Sequence, residues 1–200
     1  MHNDQIPSPT RYASYLDALH KALAAMAVTD GESRELPQEQ GLLEWCAMCH
    51  EAKQADQTMF FIGNGASAAM ASHMAADFSK NCGCRAMAFN DVALMTAISN
   101  DIRYEECFAV PLARFANPGD LLVTVSSSGN SPNVVRAIET ARRLDLKVIT
   151  VSGMKADNRS RRMGDLNFWI PAPTYGLAEA GHQALLHCWL DIFLELYGDN

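Results

Sequence analysis

Apolar positions along the first part of the chain fall at helical spacing. Over Arg11–Val28, residues Tyr12, Tyr15, Leu16, Leu19, Leu23 and Met26 recur at intervals of three and four, which predicts a helix. The charged segment DGESRELP (residues 30–37) follows as a connection. Gln38–Gln54 then predicts a second amphipathic helix carrying Leu42, Leu43, Trp45, Cys46 and Met48. Residues 1–10 are polar and contain Pro7 and Pro9, the composition of a loose arm.

From residue 58 the pattern becomes an alternation. Strands are predicted at Thr58–Ile62, Arg85–Phe89, Leu121–Val125, Lys147–Val151 and Phe168–Ile170. Helices are predicted at Ala66–Asn81, Val92–Asp101, Glu105–Phe115, Pro132–Leu144 and Leu177–Tyr197. The run LLVTV is continuous and β-branched, as a strand buried on both faces requires. The expected fold is α/β: a three-layer αβα sandwich on a five-stranded parallel sheet, with two extra N-terminal helices and a long C-terminal helix. Residues 1–57 are read as an arm and a helical pair packing on the core or on a partner subunit. Residues 58–200 form the main unit of a single structural domain. Ligands of such sheets bind beyond the carboxyl ends of the strands, near the switch in strand order.

Composition narrows the chemistry. Two hundred residues with 48% apolar and 20% charged side chains are globular, and enough for one sizeable core. A net charge of −7 argues against a nucleic-acid or anionic-membrane surface, but not against a small anion held by backbone N–H groups. No apolar run approaches the ~20 residues of a membrane span. The stretch MHNDQIPSPTRYASY lacks a basic region followed by an apolar one, so a cytoplasmic location is expected. Cys46 and Cys49 have no second CxxC and no HxxxH to complete a zinc ribbon, and are read as free thiols on a helix.

Two strand-to-helix turns stand out: Gly63-Asn64-Gly65-Ala66-Ser67 and Ser126-Ser127-Ser128-Gly129-Asn130-Ser131. Each presents unpaired N–H groups at the positive end of a helix, with glycines permitting close approach and hydroxyls adding donors. The first lacks the GK[ST] ending of a Walker loop and the GxGxxG of a dinucleotide fingerprint. Serine, asparagine and glycine are also ordinary turn residues. Two such loops at successive strand ends favour a phosphorylated metabolite. On the helix after the first loop, His73 and Asp77 share a face at i and i+4; the last helix carries Glu179, His182 and His187. His73, Asp77, Glu179 and His187 make a nitrogen and oxygen set acceptable to zinc or a similar divalent ion. A carboxylate and an imidazole facing one sugar would equally shuttle a proton between adjacent carbons. An HxxxD pair is otherwise a polar helix face, and His187 in ALLHCWLDIF a satisfied core histidine.

The segments GNGASAAMASHMAADF, SNDIRYEECF, VTVSSSGNSPNVVRAIETA and KVITVSG, in this order, resemble the sugar isomerase (SIS) domain of phosphoheptose isomerases. The likeness runs from about Phe60 to Tyr197, and it implies a flavodoxin-like SIS fold. It also implies a homotetramer with sites at subunit interfaces, often with zinc, in a step toward heptose units of bacterial surface polysaccharides such as lipopolysaccharide or capsule. Ser67, Ser126, Ser127, Ser128 and Ser131 would then hold the phosphate, with Gly65 giving the loop its close approach. Asn64, Asn100 and Asp101 would contact the sugar. His73 and His187 fall on metal-binding positions, and His187 on a catalytic one. Two residues depart from the pattern: Asp77 stands where glutamate is usual, and Glu179 where glutamine is usual. The expected activity is isomerisation of a phosphorylated heptose, most simply sedoheptulose 7-phosphate, through a cis-enediol, with Asp77 or Glu179 as base. The alternatives are a protein-binding scaffold of the replication initiator-associating type, and an SIS enzyme for another sugar phosphate.

Overall fold

The computed structural model describes residues 10–198. Of the arm expected over residues 1–10, all but Thr10 lies outside the described residues. Helix α1 (Thr10–Ala24) leads into a hairpin of β1 (Ala27–Asp30) and β2 (Glu35–Leu36), then α2 (Gln38–Gln54). The alternation follows: β3 (Thr58–Gly63), α3 (Ala66–Lys80), β4 (Arg85–Ala88), α4 (Val92–Asp101), α5 (Ala109–Phe115), β5 (Leu121–Ser126), α6 (Pro132–Arg143), β6 (Lys147–Gly153), β7 (Leu166–Ile170) and α7 (Tyr175–Tyr197).

The sheet has seven strands in the order β2-β1-β7-β6-β5-β3-β4, not five. Strands β3 to β7 are mutually parallel, and β1 pairs antiparallel with both β7 and β2, so the sheet is mixed. The hairpin replaces the end of the first expected helix and most of the charged connection. Asp30 makes its turn: Oδ1 accepts the N–H groups of Glu32 and Arg34, each at 2.9 Å. Val28, 1% exposed, points inward beneath α2. Gly41 permits that approach, since a Cβ there would sit 2.5 Å from Val28 Cγ1. The helix expected over 105–115 is instead a 3-10 turn at Tyr104–Glu106 followed by α5. Pro111 has no N–H to continue a helix from residue 107, and it fits the first turn of a helix that starts at Ala109.

Helices lie on both faces of the sheet. On one face, α2, α3 and α7 meet in an aromatic stack: Trp45 lies 4.0 Å from Trp189, and Phe78 lies 4.2 Å from Trp189. All three rings are fully buried. On the other face, Phe60, Ile62, Leu122 and Val148 of the sheet pack against Phe108, Leu112, Val134 and Ile138. The apolar stripe expected on α1 divides. Ala22 is buried and Leu19 and Leu23 pack on the core, while Tyr12 and Leu16 remain exposed. Cys46, Cys49, Cys82, Cys84 and Cys107 are free and buried, and Cys188 is free and exposed. Burial pushes the Cys46 and Cys82 thiols up to about 12, which leaves them protonated and inert. Among the described residues, no helix is long and apolar enough to cross a membrane.

The stack predicts a large response to one substitution. Trp189→Ala removes the ring shared by α2 and α3 and is expected to cost about 3–5 kcal/mol in urea unfolding. A loss below about 1 kcal/mol would show that the three helices are held together by other contacts.

Candidate active site

Strands β3 and β5 are neighbours with Gly63 opposite Val125, so the two turns that follow them lie side by side. Gly65, at φ +57°, caps α3, and Gly63 permits the tight turn because a Cβ there would lie 2.7 Å from the Ser67 backbone. In the second turn Gly129 takes φ +62°, and a Cβ would run into the Asn158 side chain. Asn158, 1% exposed, anchors the loop's neighbour: Nδ2 donates to Lys155 O at 2.8 Å, and Oδ1 accepts the Arg161 N–H at 3.1 Å. Ser160 N–H then donates to Gly129 O at 2.9 Å. Ser126 Oγ accepts the Gly129 N–H and Ser128 Oγ accepts the Asn130 N–H, both at 3.2 Å. A hydroxyl used as acceptor keeps its proton to donate outward.

Between the turns lies a cavity of about 220 Å³, lined by Asn64, Ser67, Ser126, Ser127, Ser128, Ser131, Tyr175 and Glu179. Among the described residues, no lysine or arginine borders it. Positive potential comes from the N-termini of α3 and α6, which begin at Ala66 and Pro132 just behind the loops. Hydroxyls and helix ends of this kind suit a phosphate group.

Glu179 also borders an adjoining cavity with Met70, His73 and Gln183. Beside it His73 Nε2 lies 3.0 Å from Asp77 Oδ2, and the His73 and His187 rings meet edge to face with centroids 5.2 Å apart. His73, Asp77 and His187 each offer a ligand atom, all within 4.8 Å of one another. The aromatic stack lies close by in sequence, because Phe78 follows Asp77 in α3 and Trp189 lies two residues after His187 in α7. Glu179 stands outside the three-residue cluster, one side chain nearer the serines.

The residues expected from sequence divide into four groups. Asn64, the five serines and Glu179 share one cavity; His73, Asp77 and His187 share a cluster. Gly65 lines a separate cavity behind the first loop, with Asn90, Met95 and Tyr104. Asn100 and Asp101 border none of these cavities; Asn100 Nδ2 donates to Asp101 Oδ1 at 2.8 Å on an exposed surface. Tyr175 was not foreseen, since a tyrosine at the first residue of a helix carries no local signal of ligand contact.

Those loops, that cluster and the strand order define a sugar-phosphate isomerase fold. A family model for the SIS domain matches residues 23–153, and the chain belongs to the SIS-domain family. Within it the chain falls in the phosphoheptose isomerase branch. It is 30% identical over 185 residues to a phosphoheptose isomerase of Akkermansia muciniphila, covering 89% of this chain and 91% of that one. It is 36% identical over 148 residues to one from Thermodesulfovibrio yellowstonii, covering 69% and 73%. The structure of phosphoheptose isomerase GmhA from Neisseria gonorrhoeae superposes with a TM-score of 0.79 at 26% identity, covering 91% and 94%.

Beneath the serine loop lies His182, fully buried on α7. Its Nε2 would stand 3.4 Å from a Cβ on Gly153, which closes the strand below Ser127. Neither ring nitrogen makes a hydrogen bond of good geometry, and the Ser152 backbone offers only a weak contact. Burial pushes the imidazole down to about 4 from its ordinary 6.5, so it is neutral in the folded protein. The unfolded chain binds a proton below pH 6.5 that the folded one refuses until about pH 4. Stability from this group is therefore present above pH 6.5 and lost as pH falls toward 4, by on the order of 3 kcal/mol. Urea midpoints across that window should fall more steeply for the native chain than for His182→Gln; parallel curves would refute the assignment.

Proposed function

We propose that the chain is an aldose–ketose isomerase acting on a phosphorylated heptose, interconverting sedoheptulose 7-phosphate and D-glycero-D-manno-heptose 7-phosphate through a cis-enediol. The observation that carries this reading is the position of Glu179, among the described residues the one carboxylate that borders both the serine cavity and the cavity of His73. With the phosphate on the serines, the other end of the sugar runs past Glu179 toward His73 and His187. Glu179 removes the proton from the hydroxyl-bearing carbon next to the carbonyl and returns it to the neighbouring carbon. The proton that moves between the two sugar oxygens is assigned to His187. Asp77 is otherwise committed, with Oδ2 against His73 and Oδ1 accepting from Asn81 at 3.3 Å. Without an ion bound, it orients His73.

His73, Asp77 and His187 would also hold zinc or a similar divalent ion, since two imidazoles and a carboxylate are ligands that such ions accept. Bound there, the ion would polarise the sugar's carbonyl and hydroxyl oxygens. Assembly as a homotetramer is part of this reading, and exposed apolar side chains such as Tyr12, Leu16, Val92 and Ile102 are available to an interface.

Incubation with sedoheptulose 7-phosphate in deuterated water should introduce deuterium at the carbon next to the carbonyl. No exchange with any five- to seven-carbon sugar phosphate would sink the isomerase reading. Glu179→Gln should lower kcat by about 10²–10⁴ while KM stays within a few-fold. If Asp77→Asn instead carries that loss and Glu179→Gln is mild, the base is Asp77. Plasma mass spectrometry of zinc-supplied protein should find one ion per chain, absent from His73→Ala/His187→Ala; a metal-free native protein would refute the metal site.

A further inference from the structure

Asn64 is held from two directions. Asn133, 1% exposed, lies near the start of α6, and the two side-chain amides face each other. Asn64 Nδ2 donates to Asn133 Oδ1 at 2.9 Å, and Asn133 Nδ2 donates to Asn64 Oδ1 at 2.8 Å. Tyr104, from the 3-10 turn after α4, donates its hydroxyl to the same Asn64 Oδ1 at 2.7 Å. The amide of Asn64 thus joins both strand-end loops to the segment that follows Asn100 and Asp101.

A reciprocal amide pair would form equally well with both groups turned over. The backbone removes that ambiguity. Val134 N–H donates to Asn133 Oδ1 at 3.0 Å, and because an N–H only donates, the atom facing it is the oxygen. Asn133 Nδ2 is then directed at Asn64 and at Cys107 Sγ, 3.3 Å away. Asn64 must present its oxygen to that nitrogen. Burial pushes the Tyr104 phenol up, so it stays protonated at neutral pH and donates to the same oxygen. Both lone-pair sites of Asn64 Oδ1 are occupied and one N–H is spent on Asn133. A single N–H remains for the serine cavity that Asn64 lines.

We infer that Tyr104 and Asn133 are positioning residues that fix Asn64 as a hydrogen-bond donor, never an acceptor, toward the bound ligand. Asn64 therefore selects a ligand oxygen able to accept at that point, a phosphate or carbonyl oxygen or a hydroxyl taken from its lone-pair side. This inference rests on the sugar-phosphate reading of the cavity.

A double-mutant cycle tests it. Tyr104→Phe should weaken binding of sedoheptulose 7-phosphate, measured by calorimetry, by roughly three- to tenfold, the scale of one hydrogen bond. The same change in an Asn64→Ala background should have no effect. An equal loss in both backgrounds, or none in either, overturns the positioning role. In ligand-free protein labelled with ¹⁵N-asparagine, Tyr104→Phe should shift the Asn64 side-chain amide signals, and Asn133→Asp should shift them further by turning the amide over. Unmoved signals overturn the inference whatever the protein binds. Shifted signals in a protein that binds no sugar phosphate uphold the orientation and overturn the proposed function alone.

Discussion

The site depends on two hydrogen-bonded neighbours, β3 and β5, whose chains leave the sheet toward opposite faces. Helix α3 packs with the core that contains Trp189, while α6 packs with the core that contains Phe108. The two helix N-termini therefore converge on one crevice from different layers of the sandwich. Their dipoles and free N–H groups add without any basic side chain being brought there, which fits a chain of net charge −7. The remaining demands are steric. Gly63 must admit Ser67, and Gly129 must admit Asn158. Both glycines serve the closeness of the two loops to their supports.

A second constraint fixes the reacting end. Phe78 stacks on Trp189 where α3 meets α7, and the same two helices bring His73, Asp77 and His187 together. The buried aromatic contact and the polar cluster thus share the same pair of helices. The two carboxylates near the site, Asp77 and Glu179, are placed differently. Asp77 is shorter than a glutamate and is occupied by His73 and Asn81. Glu179 lies over the boundary between the two cavities.

Much of this was legible in the chain because it is written locally. The parallel strands are continuous apolar runs, and the loops announce themselves by glycine and serine at strand ends. The hairpin was not legible, since only Val28 among its residues is fully committed to the core and its charged turn reads as a connection. Asp30-Gly31 was the available signal, and the rest of its support is tertiary: Asn167 Nδ2 reaches the carbonyls of Thr29 and Asp30 at 3.4 and 3.3 Å. The ties from Asn64 to Tyr104 and Asn133 span 40 and 69 residues, and no spacing rule reaches that far. Asn100 and Asp101 were placed by likeness alone, and in this structure their side chains pair with each other on an exposed surface.

The cysteines distribute in a way that has practical weight. Five thiols are sealed in the interior, and Cys188 alone among the free cysteines is exposed, next in sequence to His187. Thiol-directed reagents acting on the folded chain therefore meet one address, and the rest of the sulfur chemistry is withheld until the core opens. The native sequence supplies its own attachment point for a fluorescent or spin reporter on α7, beside the histidine pair, without any cysteine having to be added or removed.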